Sequence, residues 1–229
     1  MTPDSNWIAT LPRNRLLVEM SLWSAGLGAL DADTLRVEPG TDIFHIDVAD
    51  GHFAPALLFF PDLVARLRRL TAKPFHVHLM VADAILESQI EQFAQAGADL
   101  ISVHAENANA AAALTTINRL GLKAGLVLQL HTPVAAARDF LADIAMLTLL
   151  GTRIGVKGQG LAAEATTRLR EARELVGTRG IIVAADGGIR ETTVPDLRRA
   201  GAETIVMGSL AFGAEDFAQR IAWAHGLQA

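Results

Sequence analysis

Eight short apolar runs recur along the chain, at 16–20, 43–47, 75–79, 100–104, 123–128, 145–150, 181–185 and 204–207, each bounded by polar or turn-forming residues. Short continuous runs of this kind are the pattern of parallel strands buried on both faces. Between them lie stretches whose apolar residues are three and four apart, the spacing of an amphipathic helix. In PDLVARLRRL (61–70), Leu63, Val64, Leu67 and Leu70 share one face, and Pro61 suits a first helical turn. Segments 84–95 and 163–175 read the same way. Strands alternating with helices imply a parallel sheet, and eight is the number that closes a barrel. The pattern therefore predicts an α/β chain folded as one (β/α)8 TIM barrel over residues 1–229. "AGAD" at 96–99 and "AGAE" at 200–203 each follow a helix and precede a strand, which places Gly97 and Gly201 at helix C-termini as punctuation. Residues 1–10 carry no clear periodicity and are expected to be a loose extension.

Hydrophobic residues make up 51% of the 229 and aromatics only 5%, so the core must be built mainly from Ala, Leu, Ile and Val. A chain of this length can bury such a core without covalent staples. Cysteine is absent, which removes disulfides and thiolate metal sites and leaves His and carboxylates as the metal ligands available. A net charge of −5 without a basic stripe argues against nucleic acid as a partner. No apolar run reaches membrane-spanning length, and the N-terminus lacks the charged-then-apolar pattern of a secretory signal. The expectation is a cytoplasmic enzyme that binds neither nucleic acid nor membrane.

A barrel of this kind builds its site where strands run into the loops that follow them. Strand two ends in FHIDVADGHF (44–53), where His45 and Asp47 are two apart and so point to one side. Strand three ends in FHVHLM (75–80), where either His76 or His78 could face the barrel mouth. Strand seven ends in VAADGGIR (183–190), with Asp186 followed by two glycines. Any one of these residues alone is as well explained as a loop cap. Imidazoles and carboxylates converging from strands two, three and seven instead form an N/O donor set suited to Zn, Fe(II), Mn or Co.

Three glycine clusters follow strands six, seven and eight: RIGVKGQG (153–160), Asp186-Gly187-Gly188 and Met207-Gly208-Ser209. Each alone reads as a tight turn. At one end of a barrel, their backbone N–H groups can together hold a phosphate.

Taken together, these segments resemble the ribulose-phosphate 3-epimerase family from about Glu19 to Gly213. The family's H-x-D-V-M-D-G-x-F stands here as residues 45–53, its V-H-L-M-V as 77–81 and its V-H-x-E as 103–106. Its D-G-G-I is 186–189, and its late G-S-x-x-F-G is 208–213. The resemblance implies a barrel of the ribulose-phosphate-binding type with one divalent metal per subunit, held by His45, Asp47, His78 and Asp186. It also implies Asp47 and Asp186 as the acid–base pair that inverts C3 of a ketose phosphate through a metal-stabilised enediolate, as well as a homo-oligomer. Substrate contacts would come from Ser21, His78, Gly155, Val156, Lys157, Gly158, Gly187, Gly188, Gly208 and Ser209. His104 and Asp50 are read as supporting or packing residues, His76 as bonded within the barrel, and His52, His131 and His225 as loop or surface residues.

Departures from the family pattern surround this quartet. Met20 replaces the Pro before Ser21, Gly26 replaces an Asp, and Ala49 and Leu150 replace methionines. Gln129-Leu130-His131-Thr132-Pro133 stands for N-P-x-T-P, and the N-P-G-F-G-G-Q loop reads Arg153-Ile154-Gly155-Val156-Lys157-Gly158-Gln159, with two new cations. D-ribulose 5-phosphate is the first substrate reading, with a hexulose or tetrulose phosphate as alternative. A metal-dependent barrel aldolase or decarboxylase and a sugar-phosphate-binding protein with a degenerate site are the readings from other classes.

Overall fold

A computed structural model describes residues 3–4 and 6–228. Strands β1 (Leu17–Ser21), β2 (Ile43–Ala49), β3 (Phe75–Met80), β4 (Leu100–His104), β5 (Lys123–Leu128), β6 (Met146–Leu150), β7 (Ile182–Asp186) and β8 (Thr204–Met207) pair in parallel, in chain order, into a closed barrel. The helix α1 (Trp7–Thr10) lies at the lower end of the barrel, and the layer around it is formed by α2 (Leu30–Val37), α3 (Pro61–Leu67), α4 (Asp83–Ala96), α5 (Ala110–Arg119), α6 (Ala165–Val176), α7 (Val194–Arg199), α8 (Ser209–Phe212) and α9 (Phe217–His225). Between β5 and β6 a 3-10 helix, Val134–Phe140, stands where a helix is expected. The strands are buried almost throughout, which is why they carry continuous apolar runs rather than alternating ones. No helix among the described residues is long and apolar enough to cross a membrane.

The predicted strands match the observed ones to within two residues at either end. Helix 61–70 is shorter than its periodicity suggests, because α3 ends at Leu67. There Arg68 turns back, and its Nη2 donates to the carbonyls of Thr71 (2.5 Å) and Lys73 (2.6 Å), which holds a turn in place of further helix.

The expected loose extension is corrected over its second half. Trp7 is buried against Ile43, Leu100, Met146 and Ile182 and closes the lower end of the barrel. A lone aromatic gives no periodic signal, yet it buries more apolar area than any other side chain could there. Met1, Thr2 and Ser5 of that extension lie outside the described residues.

At this lower end the repeated "AGAD/AGAE" phrase acquires a physical role. Gly97 (φ 100°) and Gly201 (φ 106°) follow α4 and α7 in the left-handed conformation. A Cβ there would sit 2.7 Å from the Arg68 side chain and 2.3 Å from that of Arg173. The same arginines pair with the acid that ends each phrase, Arg68 with Asp99 at 2.9 Å and Arg173 with Glu203 at 2.7 Å. Each acid also accepts a backbone N–H from the preceding strand, Asp99 from Phe75 and Glu203 from Val183.

Asp42 does the same before β2, accepting from Val18 N–H (2.9 Å), from Arg15 (2.6 and 2.8 Å) and from His225 (3.3 Å). Burial pushes its carboxyl up, but the bonds from Arg15, His225 and Val18 outweigh that and hold it well below the ordinary carboxylate range. A folded-state pKa below the unfolded value of about 3.9 gives stability that is present above that value and lost as the pH falls. Asp42→Asn is therefore expected to cost about 1–3 kcal/mol at pH 7. It should also flatten the acid limb of the stability profile, as measured by urea unfolding between pH 7 and pH 3.

Candidate active site and metal centre

Pairing register brings the polar residues together. His45 lies beside His76 and Asp47 beside His78 across β2 and β3, Ser21 lies beside His45 across β1 and β2, and Asp186 ends β7 beside Leu150. One ligand atom from each of His45, Asp47, His78 and Asp186 can be chosen so that all four lie within 4.8 Å of one another. His45 Nε2 is 3.3 Å from Asp47 Oδ1, His78 Nδ1 is 3.5 Å from that same oxygen, and His78 Nδ1 is 3.8 Å from Asp186 Oδ2. Ser21 Oγ donates to the other oxygen of Asp47 at 2.8 Å.

His45 Nε2 and His78 Nδ1 are buried polar atoms without a hydrogen-bond partner among the described residues. Both aim at carboxylates, and the remaining nitrogen of each ring is occupied. His45 Nδ1 lies 2.9 Å from Glu19 Oε2, and His78 Nε2 lies 2.8 Å from His104 Nε2. His104 Nδ1 in turn faces Glu106 Oε2 at 3.2 Å. These partners assign an Nδ1–H to His45 and an Nε2–H to His78, leaving one lone pair per ring for the space between the aspartates. Two imidazole lone pairs and two carboxylates converging on one point fit a divalent ion.

The two aspartates have different electrostatic surroundings. Burial raises Asp47, but the adjacent imidazoles, His45 first and then His78, favour its charged form and hold the group far below its usual range. Asp186 is pushed up to about 6, chiefly by burial, with Asp47 and Glu19 adding to the rise and the histidines opposing it. His45 is raised well above its usual value: burial opposes this, but Asp47 and Glu19 overcome it. His104 is lowered to about 4, mainly by burial.

Every residue expected to contact substrate lines one cleft over this cluster: Ser21, His78, the 155–158 loop, Gly187, Gly188, Gly208 and Ser209. His45 lies beneath, fully buried. Gly187 and Gly188 have positive φ, and a Cβ would meet Thr152 at 2.3 Å in the first and Leu161 at 2.8 Å in the second. Packing alone therefore requires both glycines. Lys157 is exposed, but its ammonium is engaged. Its Nζ donates to Trp23 O at 2.5 Å and stands 4.7 Å over the Trp23 ring, so that it ties the loop after β6 to the turn after β1. Arg153 makes a long contact with Gln159 at 3.4 Å. Asp50 accepts from the N–H groups of His52 and Phe53, which closes its own loop, and from that of Ala82, which ties the loop to the turn after β3.

Two groups of residues escape the sequence reading. Arg190, Met80 and Val206 line the cleft, and Glu19 and Glu106 support His45 and His104 respectively. Glu19 does have a signal: it is a carboxylate in the middle of an otherwise apolar strand, two residues before Ser21.

A closed parallel barrel with titratable residues gathered where its strands end defines a barrel enzyme. The chain belongs to the ribulose-phosphate 3 epimerase family, whose model matches residues 17–212. It is thus an isomerase of the epimerase type. It is 35% identical over 204 residues to ribulose-phosphate 3-epimerase of Bacillus subtilis, covering 87% of this chain and 93% of that one. Identity to the Synechocystis enzyme of the same name is 36% over 214 residues, with 90% and 92% covered. A chloroplastic ribulose-5-phosphate-3-epimerase of Arabidopsis thaliana is 31% identical, over 95% of this chain and 79% of that one. Among solved structures, 3-hexulose-6-phosphate synthase matches with a TM-score of 0.66 at 18% identity, covering 94% of this chain and all of that one. Orotidine 5'-phosphate decarboxylase from Pyrococcus horikoshii matches with 0.65 at 15%, covering 91% and 97%. These two likenesses are of fold alone.

Proposed function

We propose that the chain inverts C3 of D-ribulose 5-phosphate to give D-xylulose 5-phosphate, with Asp47 and Asp186 exchanging protons on opposite faces of the substrate. The observation that carries this reading is the convergence of two carboxylates from β2 and β7 with two imidazole lone pairs beneath one cleft. His45, Asp47, His78 and Asp186 would hold one divalent ion, Zn, Fe(II), Mn or Co by the donor set. Such an ion supplies Lewis acidity that makes the proton next to a ketone easier to remove.

The remaining chemistry falls to this chain's own side chains. Asp47, the more readily ionised carboxylate, takes the C3 proton from one face, and Asp186, the more readily protonated one, delivers a proton to the other. In the reverse reaction they exchange duties. Ser21 orients Asp47 through its 2.8 Å hydrogen bond. Gly187, Gly188, Gly208 and Ser209 form the phosphate end of the cleft, where Arg153 and Arg190 add positive charge. Lys157, held on Trp23, closes the mouth of the cleft on the β1 side.

A hexulose or tetrulose phosphate is the second substrate reading, because Leu150 stands in the cleft wall where the family pattern has a methionine, which changes the shape of the pocket. Comparing kcat/KM for the three ketose phosphates decides between them, and a preference of tenfold or more for the hexulose or tetrulose would overturn the pentulose assignment. Self-association belongs to the same proposal. Leu27 (73%), Leu57 (81%) and Phe60 (58%) are exposed on segments that follow β1 and β2, and so lie mainly off the helix surfaces.

A further inference from the structure

We propose that Glu19 is a positioning residue that selects the metal-binding tautomer of His45. The inference rests on the metal reading of the His45–Asp47–His78–Asp186 cluster. Glu19 sits in the middle of β1 and is completely buried, as are His45 and His76. A buried carboxylate is costly unless its charge is met by donors. Among the described residues its ion-pair partners are His45 and His76, with no lysine or arginine. One oxygen, Oε2, lies 2.9 Å from His45 Nδ1 and 2.6 Å from His76 Nδ1, while Oε1 has no hydrogen-bond partner among the described residues.

An ionised carboxylate only accepts hydrogen bonds, so both imidazoles must present an N–H to it. For His45 this places the proton on Nδ1 and the lone pair on Nε2, the atom 3.3 Å from Asp47 Oδ1. The arrangement cannot readily swing away. His76 is held at its other nitrogen by Ser102 Oγ at 2.7 Å, and its ring packs edge-on against that of His45, 4.7 Å between centroids. Glu19, His45 and His76 could by proximity be taken for a second metal centre. Their separations are hydrogen-bond lengths that leave no space for an ion between them, so the group is a support for the first.

The test compares the wild type with Glu19→Leu, which removes the acceptor, and Glu19→Gln, which keeps a carbonyl acceptor and removes the charge. Thr148→Val serves as the control, since Thr148 is buried in the same barrel interior and its hydroxyl bonds to none of these groups. Zn(II) and Co(II) affinities are measured by competition with a chelator. The protonated ring nitrogen of His45 is identified by 15N–1H correlation in the Zn-loaded wild type. The expected results are an Nδ1–H on His45, 10–100-fold weaker metal binding by Glu19→Leu, and recovery of most of that loss by Glu19→Gln. Thr148→Val should bind as the wild type does.

Wild-type affinity in Glu19→Leu, or an Nε2–H on His45 in the Zn-loaded wild type, overturns the role given to Glu19 and leaves the metal reading standing. If Glu19→Leu does not fold, the ring-nitrogen assignment decides alone. A wild type that takes up neither ion overturns the metal reading, and this inference with it.

Discussion

Asp47→Asn and Asp186→Asn are each expected to lower kcat by about 10²–10⁴-fold at saturating metal, the range lost with a general acid or base. The reasoning is geometric. The two groups reach the cleft from β2 and β7, and among the described residues lining it no third carboxylate stands by to substitute for either. Because both also belong to the proposed metal cluster, metal content must be measured alongside turnover, so that a lost ligand is not mistaken for a lost base. The two variants should differ in isotope exchange. Each retains one of the two carboxylates and should still exchange the C3 hydrogen of one epimer with solvent without inverting it. The reference is the wild type, followed by proton NMR in deuterated water. Near-wild-type kcat in either variant, at full metal occupancy, would remove that residue from the acid–base pair.

Removal of divalent metal is expected to abolish turnover and to lower stability together. His45 Nε2 and His78 Nδ1 are buried and unpartnered, and Asp47 and Asp186 crowd the same space, so an ion bound there stabilises the folded chain by mass action. At a metal concentration one hundred times Kd the gain is about 2.7 kcal/mol, visible as a rise in Tm on re-addition. Zn, Fe(II), Mn and Co should each restore some activity to the chelated protein, whereas Ca, which prefers six to eight oxygen ligands, should not. Full turnover by a preparation containing no divalent metal would exclude the metal from the mechanism.

How much of this was legible in the sequence depends on which physical property each feature expresses. The eight strands were, because a strand buried on both faces must be written in continuous apolar residues. Asp47 and Asp186 were, because polar side chains at strand ends of a barrel face its mouth, and His45 was, because it is two residues before Asp47 on the same side of the strand. His76 and His78 could not be separated by periodicity, since residues two apart share a face. What distinguishes them is depth: His78 pairs with Asp47 at the mouth, while His76 pairs with His45 one layer down. Glu19 was missed because attention to strand ends passes over a charge at mid-strand. Its partners are 26 and 57 residues away along the chain. Trp7 was missed because one aromatic residue has no period, and only the closed barrel creates the apolar ring that it covers. The loop at 153–159 was legible as unusual, but the seat of Lys157 on Trp23, 134 residues earlier, was not.

The central claim is a two-sided proton transfer at C3, and solvent isotope incorporation tests it most directly. Metal-loaded protein is incubated with D-ribulose 5-phosphate in deuterated water, and the products are read by NMR and mass spectrometry. The account predicts D-xylulose 5-phosphate with one deuterium at C3 and an intact five-carbon skeleton. Inversion without deuterium at C3, or cleavage of a carbon–carbon bond, would contradict it.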